Sequence, residues 1–242
     1  MSSQDDPRER ALHASWETNA AAWTALIRAG GVRSRVLVTD RAILEAVDAG
    51  PLGPILDLGC GEGWLTRALI ERGRACVGVD GSAELIAAAR ALDPSPGRYH
   101  LGRYAALVDL PALTGEHRRF ASVVANFALL DEDLDGTLAA IAAVLAPAGA
   151  LLIQTLHPCA VEPPYRDGWR REDFRGLSRE GSTEAWAPMP WYFRTFASWV
   201  AALDAAGFVL ARVDEPLDPT TERPLSLLLR ATLKPDRRPR GG

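Results

Sequence analysis

Cysteine is scarce in this sequence, with three residues among 242, and their number and spacing exclude several kinds of site. An odd, sparse set does not make a disulfide framework, and no CxxC pair indicates zinc. The three residues are Cys60, Cys76 and Cys159. We therefore predict no metal site, and we expect a reducing, cytoplasmic location.

Long apolar runs and an excess of one charge are also lacking. No stretch approaches the roughly 18 uninterrupted apolar residues of a transmembrane helix, and the opening MSSQDDPRER has no apolar core of a signal peptide. The 27 basic and 31 acidic residues give a net charge of −4. That balance gives no electrostatic reason to expect nucleic acid or a membrane as a partner, and it leaves the oligomeric state open.

Apolar runs of strand length do alternate with segments of helical period, and hydrophobic residues make up 48% of the chain. This alternation predicts an α/β fold with a parallel sheet covered on both faces by right-handed crossovers. A closing pair of strands predicts an antiparallel sheet edge. The predicted helices are 9–29, 39–48 with Asp40 as N-cap, 64–72, 82–91, 133–145 and 196–206, and the predicted strands are 55–58, 75–79, 99–101, 120–125, 149–155, 208–213 and 224–233.

Residues 157–192 interrupt this alternation with five prolines, three tryptophans and no clean period. So long an irregular stretch inside a compact domain is either functional or disordered, and its aromatic content argues against disorder. The polar tail 236–242 is predicted to be disordered.

A glycine-rich loop, DLGCGEG at 57–63, joins a predicted strand to a predicted helix. Glycine allows the tight turn and the close approach of a ligand to the backbone, and the helix N-terminus offers free N–H groups. Asp80 ends the next strand, about 20 residues on, where its carboxylate can accept hydrogen bonds from both ribose hydroxyls.

Two features of the loop disfavour a dinucleotide. Its spacing is GxGxG and not GxGxxG, and Asp57 precedes the glycines. A carboxylate there would repel a diphosphate, whereas a cofactor with a cationic amino group and a sulfonium centre would tolerate or gain from it. The loop therefore favours an adenosyl cofactor without phosphate.

ILDLGCGEG at 55–63 and VGVDGS at 77–82 resemble motifs I and II of the class I S-adenosylmethionine-dependent methyltransferases. NFAL at 126–129 and LAPAG at 145–149 resemble that family's fourth-strand motif and the turn before its fifth strand. The resemblance implies a Rossmann-like sheet in the order 3-2-1-4-5-7-6, with strand seven antiparallel, helices on both faces and an N-terminal helical lid. The implied cofactor is S-adenosylmethionine, which leaves as S-adenosylhomocysteine. The expected division is a lid at 1–50 and a methyltransferase domain at 51–235 with the substrate-facing insertion 157–192.

The resemblance also implies which residues hold the cofactor, with Asp57 and the glycines by its methionine part and Asp80 on its ribose. The acid that the family often places after strand three is missing, so the adenine is assigned to a backbone group or Tyr104. Arg33 or Arg35 is a candidate partner for the cofactor carboxylate. The predicted cofactor contacts are Trp23, Arg33, Asp57, Gly59, Cys60, Gly61, Gly63, Asp80, Gly81, Tyr104, Ala105, Asn126 and Phe127.

The substrate is expected beyond the carboxyl ends of the strands, where the insertion would form its wall. His157 is a candidate general base, with a structural cap at the end of strand five as the alternative. Tryptophans of the first helix at helical spacing are equally consistent with core packing. The predicted substrate contacts are Trp16, Tyr165, Trp191, Tyr192 and Arg194.

The predicted activity is transfer of a methyl group to an O, N or C atom of a small molecule by in-line displacement, which depends mainly on positioning. Three alternatives stay open: a peptide or protein methyltransferase, a non-catalytic adenosyl-binding module and an NAD-linked oxidoreductase. Fold alone assigns no substrate.

Overall fold

A seven-stranded sheet forms the centre of the computed structural model, which describes residues 6–110, 119–174 and 186–235. The strands run in the order β3-β2-β1-β4-β5-β9-β8, and a separate hairpin is formed by β6 and β7. The strand bounds are β1 Ile55–Leu58, β2 Cys76–Asp80, β3 Tyr99–Leu101, β4 Phe120–Asn126, β5 Leu145–Leu156, β6 Gly168–Glu172, β7 Met189–Phe193, β8 Phe208–Asp214 and β9 Ser226–Leu233.

The first five strands of the sheet are parallel, and β9 is antiparallel to both β5 and β8. Once the two hairpin strands are left out of the numbering, this is the predicted order 3-2-1-4-5-7-6. The prediction of the fold, including the antiparallel seventh strand, is therefore confirmed.

Within the described ranges, six α-helices surround the sheet and cover both of its faces. Successive strand residues point to opposite faces, and Val123 belongs to a buried cluster with α5 and α6, whereas Val124 belongs to one with α2 and α3. Burial on both faces explains why β1 and β4 are near-continuous apolar runs. The helix bounds are α1 Pro7–Arg28, α2 Asp40–Asp48, α3 Trp64–Glu71, α4 Ala83–Leu92, α5 Asp135–Val144 and α6 Phe196–Ala205.

The start of α2 differs from the prediction, which made Asp40 its N-cap. A π-helical turn, Arg35–Thr39, runs directly into the helix, so Asp40 already has helical backbone angles. Its carboxylate accepts a hydrogen bond from Nε of Arg35 at 2.9 Å instead of capping a free N–H group. The predicted disordered tail, 236–242, lies outside the described residues.

The insertion contains an antiparallel hairpin where the sequence predicted irregular structure, with Gly168 paired to Phe193 and Glu172 paired to Met189. Helix α1 packs against it through Asn19, whose amide donates to the carbonyl of Ala187 and accepts from its N–H, both at 2.8 Å. Of the helices in the described ranges, none is both long and apolar enough to cross a membrane.

Candidate active site

A cavity of about 450 Å³ lies at the carboxyl end of β1, β2 and β4, between the glycine loop, helix α1 and the hairpin. Its position agrees with the general rule that open α/β sheets bind ligands beyond the carboxyl ends of their strands. Ten of the predicted site residues line it: Trp16, Trp23, Gly59, Cys60, Gly61, Asp80, Tyr104, Asn126, Phe127 and Trp191.

The glycine loop needs its glycines for two different reasons. Gly59 has φ +75°, and a Cβ added to it would lie 2.3 Å from the Cβ of Ala128, so packing excludes a side chain. Gly61 has φ +56°, and an added Cβ would meet no atom within 4 Å. Because Gly61 lines the cavity, the absence of a side chain at this position keeps that part of the cavity open.

Asp80 ends β2 with its carboxylate at the edge of the cavity. Its two oxygens accept hydrogen bonds from the N–H groups of Gly61 and Ser82, both at 2.8 Å. Burial raises the pKa of Asp80, and these two bonds oppose the rise. A carboxylate has lone pairs for about four hydrogen bonds, so Asp80 retains capacity for a ligand's hydroxyl groups.

Asp57 lies behind the loop, 1% exposed, and does not line the cavity. The hydroxyl of Thr66 donates to its carboxylate at 2.7 Å. Burial, opposed by the hydrogen bond from Thr66 and assisted by the nearby charge of Asp80, raises the pKa of Asp57 to about 7. The contact predicted between Asp57 and the cofactor would therefore act through the loop and not through an exposed carboxylate.

The stability of the protein is expected to fall with rising pH because of Asp57. Between the unfolded pKa of about 4 and the folded pKa of about 7, the folded state binds more protons than the unfolded chain, so stability decreases as pH rises. From about pH 5 to about pH 8, urea denaturation of the ligand-free protein should show a loss of about 3 kcal/mol. Asp57→Asn should flatten this slope, whereas the exposed control Asp48→Asn should keep it; an unchanged slope in Asp57→Asn would contradict the assignment.

The end of β4 is held by hydrogen bonds to β5. Nε2 of Gln154 donates to the side-chain oxygen of Asn126 at 2.8 Å, and the carbonyl of Gln154 accepts from the N–H of Phe127 at 2.7 Å. These bonds fix the amide of Asn126, which lines the cavity. Phe127 has φ +55°, an unusual angle for a residue with a side chain.

The charges around the cavity suit a cofactor that is cationic and free of phosphate. Asp80, Glu62 and Glu172 line it, against one basic residue, Arg35. Arg35 is paired with Asp40 and Glu62 with Arg67, which leaves Asp80 and Glu172 without a basic partner among the described residues. Oε1 of Glu62 is buried without a hydrogen-bond partner, so the loop offers an acceptor to a ligand's donor. The residues present therefore fit the adenosyl cofactor that the glycine loop predicted.

Four other predicted cofactor residues lie outside the cavity lining. Gly63 has φ +84°, and its added Cβ would meet the ring of Tyr99 at 2.7 Å, which makes it a packing position. Ala105 faces α5, since a Cβ on Gly136 would lie 3.2 Å from it. Arg33 is exposed, and its guanidinium lies 3.9 Å from the carboxylate of Asp218. Gly81 follows Asp80 in the chain but does not line the cavity.

Helix α1 closes one side of the cavity with Trp16 and Trp23, whose rings meet edge to face at 5.5 Å. The helix is fastened to the glycine-loop side of the fold. The carboxylate of Glu17 accepts from the N–H of Ala83 at 2.6 Å, at the start of α4. Nε of Arg28 lies 3.4 Å from Glu62.

His157 is placed where the predicted role of general base is not supported. It does not line the cavity, and both ring nitrogens are occupied. Nδ1 accepts from the N–H of Cys159 at 3.1 Å, and Nε2 lies 2.8 Å from Glu215. An Nδ1 that accepts requires Nε2 to carry the proton, so the ring braces the end of β5 against the segment after β8. The alternative structural reading of His157 is the one this geometry favours.

Loss of the contact between His157 and Glu215 should lower the stability of the protein but should not change the pH dependence of methyl transfer. We expect His157→Ala and Glu215→Ala each to lower the free energy of unfolding by about 1 kcal/mol, because each removes the hydrogen bond between Nε2–H of His157 and the carboxylate of Glu215. The pH profile of methyl transfer should keep its shape in both variants. If His157→Ala alone lost one limb of that profile, the result would instead support His157 as the general base.

Three predicted substrate residues also lie outside the lining. The hydroxyl of Tyr165 accepts from the N–H of Phe196 at 2.9 Å. Tyr192 is on the outer face of the hairpin, against Trp169. The guanidinium of Arg194 lies over the rings of Tyr192 and Trp199 and donates to the carbonyl of Glu132, so it joins the hairpin to the chain after β4.

Several lining residues were missed by sequence reasoning. Glu172, Phe174 and Met189 belong to the insertion, and Trp64 begins α3 directly after the glycine loop. A usable signal was the alternation of Met189, Trp191 and Phe193, which indicates a strand with one buried face.

Residues 55–149, from β1 into β5, match the family model of a methyltransferase domain. Among solved structures, an S-adenosylmethionine-dependent methyltransferase from Mesorhizobium loti is 24% identical, with a TM-score of 0.55 over 74% of this chain and 89% of that one. DhpI in complex with S-adenosylhomocysteine is 21% identical, with a TM-score of 0.59 over 93% and 97%. The glycopeptide N-methyltransferase MtfA with sinefungin is 19% identical, with a TM-score of 0.61 over 81% and 86%. None of the curated proteins compared with the chain matches it.

Proposed function

We propose that this chain, which carries a class I S-adenosylmethionine-dependent methyltransferase domain, methylates an O, N or C atom of a small molecule held in the cavity. The observation that carries the proposal is the enclosure of the site. A cavity of about 450 Å³ is bounded by the loop, α1 and the hairpin, which suits a small acceptor better than an extended chain on an open face.

The residues of the chain bind and orient, and the bound cofactor supplies an electrophilic methyl group on a sulfonium sulfur. Asp80 would hold the ribose, and Gly59 and Gly61 would allow the close approach of the backbone. Trp16 and Trp23 would exclude water from the reacting atoms. Methyl transfer by in-line displacement needs little more than this alignment.

The test measures cofactor binding and transfer separately. Calorimetry with S-adenosylhomocysteine and with NAD should give binding of the first alone, and tight NAD binding alone would overturn the proposal. Labelled S-adenosylmethionine and a panel of metabolites, peptides and proteins should then label a small molecule. MtfA acts on a glycopeptide by its name, so peptide natural products belong in the panel. Binding without transfer to any member would favour the non-catalytic module.

We also infer a cytoplasmic location. Its support is that Cys60, Cys76 and Cys159 are all free thiols in the structure, with Cys159 exposed, a state that a reducing compartment preserves. Fractionation of the source cells should place the protein in the cytoplasm.

A further inference from the structure

The hairpin carries an acidic side chain on its inner face. Residues paired directly across two antiparallel strands share a face of the sheet, and Glu172 is paired with Met189, two residues from Trp191 on the same face. Met189 and Trp191 are buried, and all three residues line the cavity. The apolar wall of the cavity therefore contains one carboxylate.

Among the charged lining residues, Glu62 and Arg35 have a partner of opposite charge. Asp80 and Glu172 have none among the described residues, and Asp80 is already assigned to the ribose. Glu62 is paired with Arg67 at 2.8 Å, and Arg35 with Asp40 at 2.9 Å. Glu172 accepts a hydrogen bond from the N–H of Phe174 at 2.7 Å, and across the three described ranges it has no basic partner. A cationic ligand in the cavity would supply the counter-charge that the described residues do not.

Aromatic rings surround the same space. The ring of Trp23 lies 5.5 Å from Trp16 and 6.5 Å from Phe174, and Trp191 completes the wall. Phe174 has φ +58°, a strained angle that costs about 1–2 kcal/mol and that packing against Trp186 at 4.6 Å offsets. Within the described part of the chain, no arginine stacks on Trp16, Trp23 or Trp191, although arginines cover five other rings.

We propose that the acceptor is an amine that binds as a cation, with Glu172 as its anchor and the three tryptophans as its cage. Rings attract an ammonium group by their quadrupole, and the carboxylate adds a charge-assisted hydrogen bond. This names the substrate class within the proposed function and rests on it. An alcohol, a phenol or a carboxylic acid would leave Glu172 without a counter-charge.

Glu172 has one chemical task besides anchoring. An ammonium nitrogen has no lone pair, so it must lose a proton before it can be methylated. The proton passes from nitrogen to a carboxylate oxygen of Glu172, which gives a neutral amine with its lone pair and a neutral carboxylic acid. The acid then releases the proton to solvent, and the carboxylate is restored.

The test compares two probes that differ only in charge: choline and its neutral isostere 3,3-dimethylbutan-1-ol. Binding is followed by tryptophan fluorescence, because three tryptophans line this part of the cavity. Each titration is made with and without S-adenosylhomocysteine, on the parent, on Glu172→Gln and on the control Glu162→Gln. Glu162 is an exposed acid outside the cavity lining.

We expect the parent and Glu162→Gln to bind choline about tenfold more tightly than the isostere, and Glu172→Gln to lose most of this preference. In a methylation panel, amines should be labelled and alcohols of the same shape should not. Equal binding of the two probes by the parent, or an unchanged preference in Glu172→Gln, would overturn the proposal. Failure of S-adenosylhomocysteine to bind would instead overturn the proposed function, and the titrations without it would still report on the cage.

Discussion

Gly61→Ala is expected to weaken S-adenosylhomocysteine binding by about 100-fold or more while the protein stays folded. The added methyl group would meet no protein atom within 4 Å, so it would occupy the open space beside the loop that we assign to the cofactor. The left-handed angle of +56° adds strain of about 1–2 kcal/mol. Calorimetry measures the first effect and urea denaturation the second.

Gly73→Ala provides the matched control. Gly73 has φ +77°, and its added Cβ would also meet nothing within 4 Å, but it lies in the turn after α3 and outside the cavity lining. It should lose the same stability and bind S-adenosylhomocysteine like the parent. Equal binding by Gly61→Ala and Gly73→Ala would mean that the cofactor does not lie against the loop.

Asp80→Asn should have the second largest effect, lowering the affinity for S-adenosylhomocysteine by about 10- to 100-fold, because hydrogen bonds to a charged acceptor are lost. The free energy of unfolding should change by less than about 1 kcal/mol at neutral pH. Two effects oppose each other. Removing the charge of Asp80 stabilises the protein, because burial disfavours that charge and raises the pKa of the carboxyl group. Disturbing the hydrogen bonds from Gly61 and Ser82 destabilises it.

A ligand without the 2′-hydroxyl group tests whether Asp80 acts on the ribose. The parent should bind 2′-deoxy-S-adenosylhomocysteine more weakly than S-adenosylhomocysteine, and Asp80→Asn should bind the two with similar affinity. Such non-additivity is the measure of a direct interaction. Independent, additive losses would show that Asp80 acts only on the loop.

The sheet and its loop could be predicted because their signals are local. β1 and β2 are buried on both faces and therefore apolar apart from one aspartate each, and glycine is required wherever the loop turns with positive φ. The strand order then follows from right-handed crossovers together with the resemblance. Asp80 could be placed at the cavity for the same reason, since it ends a strand that the pattern predicted at 75–79 and that the structure has at Cys76–Asp80.

Strand β6 of the hairpin could not be predicted, because it is GWRRE and has no apolar alternation of its own, although its partner β7 does alternate. Its register depends on a partner strand that follows after 173–188 and on support from α1 through Asn19. Contacts between residues so far apart in the sequence produce no local periodic pattern. The partners of His157 were hidden for a related reason: Glu215 comes from the far side of α6 and β8, so nothing near His157 in the sequence indicated that both ring nitrogens are occupied.

Helix α1 joins the two halves of the cavity. Glu17 and Arg28 attach it to α4 and the glycine loop, and Asn19 attaches it to the hairpin. A ligand at either end therefore restrains the same helix that the other ligand needs in place. By thermodynamic linkage, any free-energy cost of ordering α1 that the first ligand has paid is not paid again by the second, whichever of them binds first. Methyl donor and acceptor should thus strengthen each other's binding by the same factor.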